Sequence, residues 1–262
     1  MQESENLRCL LIQARLFWAN AEANRRSLET IIRSESAGCD LVVLPEAFTS
    51  GFLGDTESQH ESMQGETLAW MKMLAAEAGC VLSGSAAIDT GEGVANRFLW
   101  VQSDGVVEYY DKRHLFSFGG EDQRYVAGTE RKIIRFRNWR ICPQICYDLR
   151  FPAWCRNRGD YDVLLFVAIW PEPRTPAWTA LLRAWAIENQ CYVIGVNRSG
   201  SDPRGLHYAG ASAVYDPLGE AVLELGDKEA VGVAELELER VRSIRRELPF
   251  QQDADEFRFV RD

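Results

Sequence analysis

Histidine is scarce in this sequence: only His60, His114 and His207 occur among 262 residues. No two of them have the spacing of a zinc-binding helix, and none of the seven cysteines forms a C-x-x-C pair. A structural zinc site is therefore not expected. The same shortage counts against a cysteine–histidine protease, since only His114 stands at the end of a strand-like run. Ser212 lies in Gly210-Ala211-Ser212-Ala213-Val214, which lacks the second glycine of a G-x-S-x-G nucleophile turn. Basic residues are in deficit, 29 Lys and Arg against 39 Asp and Glu, a net charge of −10. Such a chain repels phosphate backbones, so no nucleic-acid partner is expected. Arg240, Arg242, Arg245 and Arg246 are interleaved with Glu239 and Glu247 and read as a solvated helix face. No apolar run approaches the ~20 residues of a membrane span. The start, Met1, Gln2, Glu3, Ser4 and Glu5, is acidic where a secretory leader is basic. An odd cysteine count without a regular framework implies reduced thiols. These absences together point to a cytoplasmic protein with no membrane partner.

What remains is ordinary globular composition, long enough to bury a core without disulfides. A strand is expected at 7–13 and a helix at about 20–36, with Leu28, Ile31 and Ile32 at helical spacing. The continuous apolar run Leu41-Val42-Val43-Leu44 reads as a strand buried on both faces and stopped by Pro45. A helix at about 66–78 carries Leu68, Met71, Leu74, Ala75 and Ala78 on one stripe. Strands follow at 80–88, 97–102 and 106–109. The second half repeats the order: strands at 133–136 and 140–145, a short helix from about 152, and a strand at 163–170. A helix at about 176–190 comes next, then strands at 192–197, 210–215, 221–225 and 231–237, and a helix at about 240–247. A doubled strand–helix–strand–helix–strand–strand order suits two sheets, each covered by helices on one face. The expectation is one α/β domain over 1–248. A tail at 249–262 has no place in this plan and could wander or wrap a second subunit.

Three polar groups stand at the ends of apolar strands, where ligands gather in α/β architectures. Glu46 follows Pro45, Lys112 follows the strand ending near Tyr110, and Cys146 follows the strand ending at Ile145. A thiol attacks a carbonyl or nitrile carbon as thiolate, so it needs a proton acceptor or a neighbouring cation. A glutamate can take that proton and return it to a leaving amine. An ammonium can stabilise the tetrahedral oxyanion, with help from backbone N–H groups just after Cys146. Singly, each residue has a plainer role: a small buried thiol, a loop carboxylate, a surface lysine. Arg150 and Arg174, in segments near the same site, could grip a substrate carboxylate. Phe116, Tyr125, Trp170 and Trp178 could supply apolar walls, though Trp178 fits core packing better.

Taken together, the segments resemble the nitrilase superfamily of carbon–nitrogen hydrolases over nearly the whole chain. Leu44-Pro45-Glu46 is similar to its catalytic glutamate segment and Asp111-Lys112-Arg113-His114-Leu115-Phe116 to its lysine segment. Ile145-Cys146-Tyr147-Asp148-Leu149-Arg150-Phe151-Pro152 resembles its nucleophile segment. Gly120-Glu121-Asp122 sits where the family has a second glutamate that positions substrate and lysine. The segment from Gly210 to Gly219 is similar to a late G-x-S-x-x-x-D-P-x-G motif. Trp185 stands where members often have arginine, which implies a local packing change. The resemblance implies a four-layer α-β-β-α sandwich, self-association into a dimer or larger homo-oligomer, and no cofactor or metal. It implies catalytic roles for Glu46, Lys112, Cys146 and Glu121, with Phe116, Tyr147, Arg150 and Trp170 around a small amide substrate. The nucleophile segment, the pair Asn197-Arg198 and the compact 116–121 loop resemble the omega-amidase branch, which cleaves the terminal amide of 2-oxo dicarboxylic acid monoamides. A branch acting on deaminated glutathione has nearly the same nucleophile segment. An acyltransferase, or a scaffold that keeps the fold, are the alternatives of another class.

Overall fold

The computed structural model describes residues 5–52 and 60–259. The first half runs β1 (Leu7–Gln13), α1 (Ala21–Glu35), β2 (Leu41–Val43), α2 (Glu66–Ala78), β3 (Val81–Asp89), β4 (Val94–Val101) and β5 (Val107–Asp111). Then come β6 (Ile134–Phe136), β7 (Trp139–Ile145), α3 (Pro152–Cys155), β8 (Val163–Ala168), α4 (Thr175–Asn189) and β9 (Tyr192–Asn197). A small hairpin follows, β10 (Ser199–Ser201) and β11 (His207–Ala209). The chain closes with β12 (Ala213–Tyr215), β13 (Ala221–Glu224), β14 (Ala230–Leu236) and α5 (Leu238–Glu247). Local chemistry sets the helix ends. The Asn20 side chain accepts from the Ala23 N–H to open α1, and Gly79, at φ 65°, closes α2 in the left-handed conformation that glycine tolerates.

Two six-stranded sheets form, in the orders β14-β1-β2-β3-β4-β5 and β13-β12-β9-β8-β7-β6. In each, three central strands are parallel and the flanking ones antiparallel. The period-two alternation of strands sorts the apolar side chains into layers. Leu7, Cys9 and Leu11 of β1 meet Val163, Leu165 and Val167 of β8 in one core between the sheets. Leu10 and Ile12 point the other way, under Leu28 and Ile32 of α1 and Leu68, Met71 and Leu74 of α2. Leu164 and Phe166 of β8 pack under Trp178, Leu182 and Trp185 of α4. Helices, sheet, sheet, helices: the fold is the expected four-layer α-β-β-α sandwich in one domain. Strands buried on both faces need the continuous apolar runs seen in the sequence, and each fully buried Leu, Val or Ile contributes about 1.5–3 kcal/mol.

Three details differ from the sequence reading. The strand near the C-terminus does not extend the second sheet. β14 pairs antiparallel with β1 and supplies the edge strand of the first, so the two ends of the chain interlock. The basic helix α5 is not simply a solvated face. Arg240 pairs with Asp216 at 2.8 Å, and Arg245 reaches Asp162 at 3.0 Å and the Tyr161 carbonyl at 2.8 Å. The described part of the tail folds back on its own chain: Phe259 packs on Trp154, Arg158 stacks on Phe257, and Gln251 donates to the Asn189 carbonyl.

Candidate active site

β2, β5, β7 and β8 all end at one rim of the inter-sheet core, and their next residues converge there. Lys112, just past β5, is buried between two carboxylates. Its Nζ donates to Glu46 Oε1 at 2.9 Å and to Glu121 at 3.0 and 2.9 Å. Burial alone would push this amine down in pKa, but Glu121 and then Glu46 outweigh it and hold the ammonium charged. Glu46 Oε2 accepts from the Ile169 N–H at 2.7 Å, just beyond β8. Glu121 Oε2 accepts from the Phe116 N–H at 2.6 Å, which folds the 116–121 loop over the site. Cys146 begins a 3-10 turn directly after β7, and its Sγ lies 3.9 Å from the Ile169 carbonyl oxygen. Burial first, and then the Glu46 carboxylate, push the thiol pKa well up, with Lys112 opposing. The resting thiol is therefore protonated and faces a carboxylate able to take its proton.

The backbone is unusual at Cys146 and next to Glu46. Cys146 has φ 46° and Ala47, next to Glu46, has φ 40°. Left-handed conformations at residues other than glycine cost free energy and persist only where neighbours hold them. Asp148 holds the thiol turn. Its carboxylate accepts from the Ile145 N–H (3.0 Å), the His114 N–H (2.9 Å) and the Tyr110 hydroxyl (2.9 Å), and lies 2.8 Å from His114 Nδ1. His114 thus ties the lysine segment to the thiol turn and is not the thiol's base. Trp185 secures the far end of the turn, its indole N–H donating to the Leu149 carbonyl at 3.0 Å. Ala47 is held by the Ser85 hydroxyl at 2.9 Å, and Ser85 in turn donates to Asn96 Oδ1.

Asn96 escaped the sequence reading. Its amide donates to Glu46 at 2.8 Å and to Glu121 at 3.2 Å, bridging the two carboxylates opposite Lys112. The available signal was a polar residue inside the apolar strand β4, which a buried position allows only with partners. The late motif acts at one remove. Gly210 has φ 55°, and a Cβ there would sit 2.2 Å from the Gln13 side chain. Gln13 accepts from the Ser212 N–H, Ser212 binds Asn197, and Asn197 clasps both the N–H and the carbonyl of Trp170.

A cavity of about 260 Å³ opens over Cys146, Glu46 and Lys112. Phe116, Tyr147, Arg150 and Trp170 line it, as does Arg174. The Arg150 guanidinium sits 5.0 Å from the Trp170 ring centre and that of Arg174 sits 5.2 Å from Phe116. Neither has a carboxylate partner among the described residues. Glu121 lies behind Lys112 and does not line the cavity. Trp178 is in the core, donating to the Ala211 carbonyl, and Tyr125 also lies off the cavity wall. Trp18, Phe52, Asp202 and Tyr208 line it without having been singled out. Asp202-Pro203-Arg204-Gly205 carried the signal for the last two: Asp, Pro and Gly at the first, second and fourth places of a type I turn. The Gly205 N–H closes that turn on the Asp202 carbonyl at 3.0 Å. Among the described residues no cluster of His, Cys, Asp and Glu is arranged to hold a metal ion.

The sequence model of the carbon–nitrogen hydrolase family matches residues 11–246. The chain belongs to the carbon–nitrogen hydrolase family. It is 45% identical over 253 residues to an omega-amidase YafV of Escherichia coli (strain K12), covering 96% of this chain and 98% of that one. A 2-oxoglutaramate amidase of Bacillus subtilis (strain 168) is 32% identical over 92% of this chain and 95% of its own. The crystal structure of XC1258 from Xanthomonas campestris, a CN-hydrolase superfamily protein with an arsenic adduct in its active site, superposes with a TM-score of 0.96. It is 44% identical and covers 98% of this chain and 100% of that one. The present hydrolase thus shares both fold and full length with amide-cleaving relatives. No helix among its described residues is long and apolar enough to cross a membrane.

Proposed function

We propose that this hydrolase cleaves the terminal amide of a small 2-oxo dicarboxylic acid monoamide, of the 2-oxoglutaramate type, through a cysteine thioester. The observation that carries the reading is the polarity of the cavity. Its buried end presents the Cys146 thiol beside a Glu–Lys pair, and its walls carry Arg150 and Arg174, which have no carboxylate partners among the described residues. Such a cavity suits a ligand with an uncharged amide at one end and an anion at the other. The names of the E. coli and B. subtilis relatives support the same substrate class.

In the proposed mechanism Glu46 accepts the Cys146 proton as sulfur attacks the amide carbon. The oxyanion is held by Lys112 and the Tyr147 backbone N–H, which lies in the first turn of a helix where N–H groups lack intrahelical acceptors. Ammonia departs with the proton from Glu46, leaving a thioester. Glu46 then activates water, and the acid is released. Glu46 suits this step better than Glu121, because it lines the cavity and Glu121 does not. Glu121 and Asn96 position the lysine and the base.

Ammonia release from 2-oxoglutaramate, with glutamine, asparagine, a simple nitrile and deaminated glutathione alongside, tests the reading. A clear preference for 2-oxoglutaramate that vanishes in Cys146→Ala is expected. Turnover of another compound, with silence on 2-oxoglutaramate, would refute the substrate; activity in Cys146→Ala would refute the nucleophile.

We further propose a cytoplasmic setting, a hydrolase domain over 1–248 with an appended tail, and self-association. Seven free thiols support a reducing compartment. Exposed Ile187 on α4 and Leu218 in the β12–β13 turn, beside one another at Gly219, support a face shared between copies. Light scattering on a sizing column tests this; a monomer at micromolar concentration would overturn it.

A further inference from the structure

Arg198 is a buried cation with no part in the chemistry above. It follows Asn197 at the end of β9, and none of its surface reaches solvent. Its guanidinium makes only long hydrogen bonds, to the carbonyls of Ser199 (3.2 Å), Leu16 (3.4 Å) and Ser201 (3.3 Å). Nη1 has no hydrogen-bond partner among the described residues. Asp202 lies within electrostatic reach, but its oxygens accept from the Arg204 and Leu206 N–H groups and the Tyr208 hydroxyl. An enclosed ion so poorly matched is costlier than an apolar chain of equal length, so stability alone does not account for it.

Its neighbours suggest what it does. The guanidinium lies 4.6 Å from the Tyr208 ring centre. A methyl group on Gly51 would sit 3.8 Å from Nη1 and 3.3 Å from the Trp18 ring, so Gly51 lies between the two, and the cation over the Trp18 ring is Arg204, at 5.7 Å. Tyr208 and Trp18 both line the cavity. The positive charge therefore stands one aromatic layer behind the cavity wall. The carbonyls it gathers belong to the segment leading to Trp18 and to β10, which opens into the turn that brings Asp202, Arg204 and Leu206 to the same wall.

We propose that Arg198 is a positioning residue for substrate specificity: its charge, held behind Tyr208, and its hold on β10 tune the cavity for the anionic end of the amide. This rests on the anionic-substrate reading above. The test measures kcat and KM for 2-oxoglutaramate and for pentanamide, an uncharged amide of the same chain length, in wild type, Arg198→Met and Arg198→Lys, with melting temperatures. Wild type should prefer 2-oxoglutaramate. Arg198→Met should raise KM for 2-oxoglutaramate about tenfold, leaving kcat and the pentanamide KM within about threefold. Arg198→Lys, which keeps the charge, should recover most of the loss. Equal changes for both amides, or no change, would show a purely structural role and overturn the proposal. Should Arg198→Met not fold, Arg198→Gln carries the same comparison. A wild type that cleaves pentanamide and not 2-oxoglutaramate would overturn the substrate reading first and this proposal with it.

Discussion

Replacing Glu121 by glutamine isolates the support given to the lysine. At 2.9 Å, with an effective dielectric constant near 20, the Lys112–Glu121 attraction is about 6 kcal/mol. Glutamine keeps one oxygen for the Lys112 ammonium and removes the cost of burying a carboxylate, but its NH2 must face a donor, the Phe116 N–H or the Asn96 amide, so the net loss is about 3 kcal/mol. The damage should fall on the transition state, because Lys112 would keep one anionic partner, Glu46, and be drawn toward it. At about 1.4 kcal/mol per tenfold, kcat should drop about a hundredfold. KM should move by less than about threefold, since Glu121 does not line the cavity. Steady-state ammonia release from 2-oxoglutaramate gives both constants, and circular dichroism checks folding. A kcat within about fivefold of wild type, or a loss confined to KM, would refute the view that Glu121 works through Lys112.

Arg150→Met should raise KM for 2-oxoglutaramate about 10- to 100-fold and leave pentanamide nearly untouched, because a charge-assisted hydrogen bond is worth about 1.5–3 kcal/mol; a parallel loss on both amides would count against an anion grip. The melting temperature should fall as pH rises from 9 to 11. Burial pushes the Cys80 and Cys142 thiols from 9.0 to about 11, so the unfolded chain loses these protons first and binds fewer in that window; calorimetry showing a flat or rising melting temperature there would contradict the assignment. Ending the chain at residue 248 should lower the melting temperature by a few degrees, through loss of the Phe259–Trp154 and Phe257–Arg158 contacts, and leave kcat unchanged; a large fall in kcat would mean that the tail serves the active site.

Element types and layers were legible in the linear chain because hydrophobic period is local. The run at Leu41-Val42-Val43-Leu44 and the stripe on α2 each report burial on particular faces, and those faces admit only a layered α/β arrangement. Glu46 and Cys146 were legible because each follows a buried apolar strand of the parallel centre, and Lys112 because it follows β5, an antiparallel-paired strand that runs in the same sense, so all three arrive at one rim. Partnership across the chain was not. The pairing of β14 with β1 joins residues more than two hundred positions apart, and nothing in either strand specifies the other edge. Asn96 looks like any strand asparagine until β4 lies beside the 112 and 121 segments, when its amide bridges two carboxylates. Asp148 and His114 looked like parts of a motif, and only the packing makes them the clamp for a left-handed cysteine. Arg198 read as half of a dipeptide; that it is a cation sealed behind an aromatic wall is a property of enclosure alone. Residue type and period determined which chemistry the chain carries. Tertiary structure decided which groups share a charge, a proton or a wall, because hydrogen bonds and Coulomb forces act over a few ångströms of space and are blind to distance along the chain.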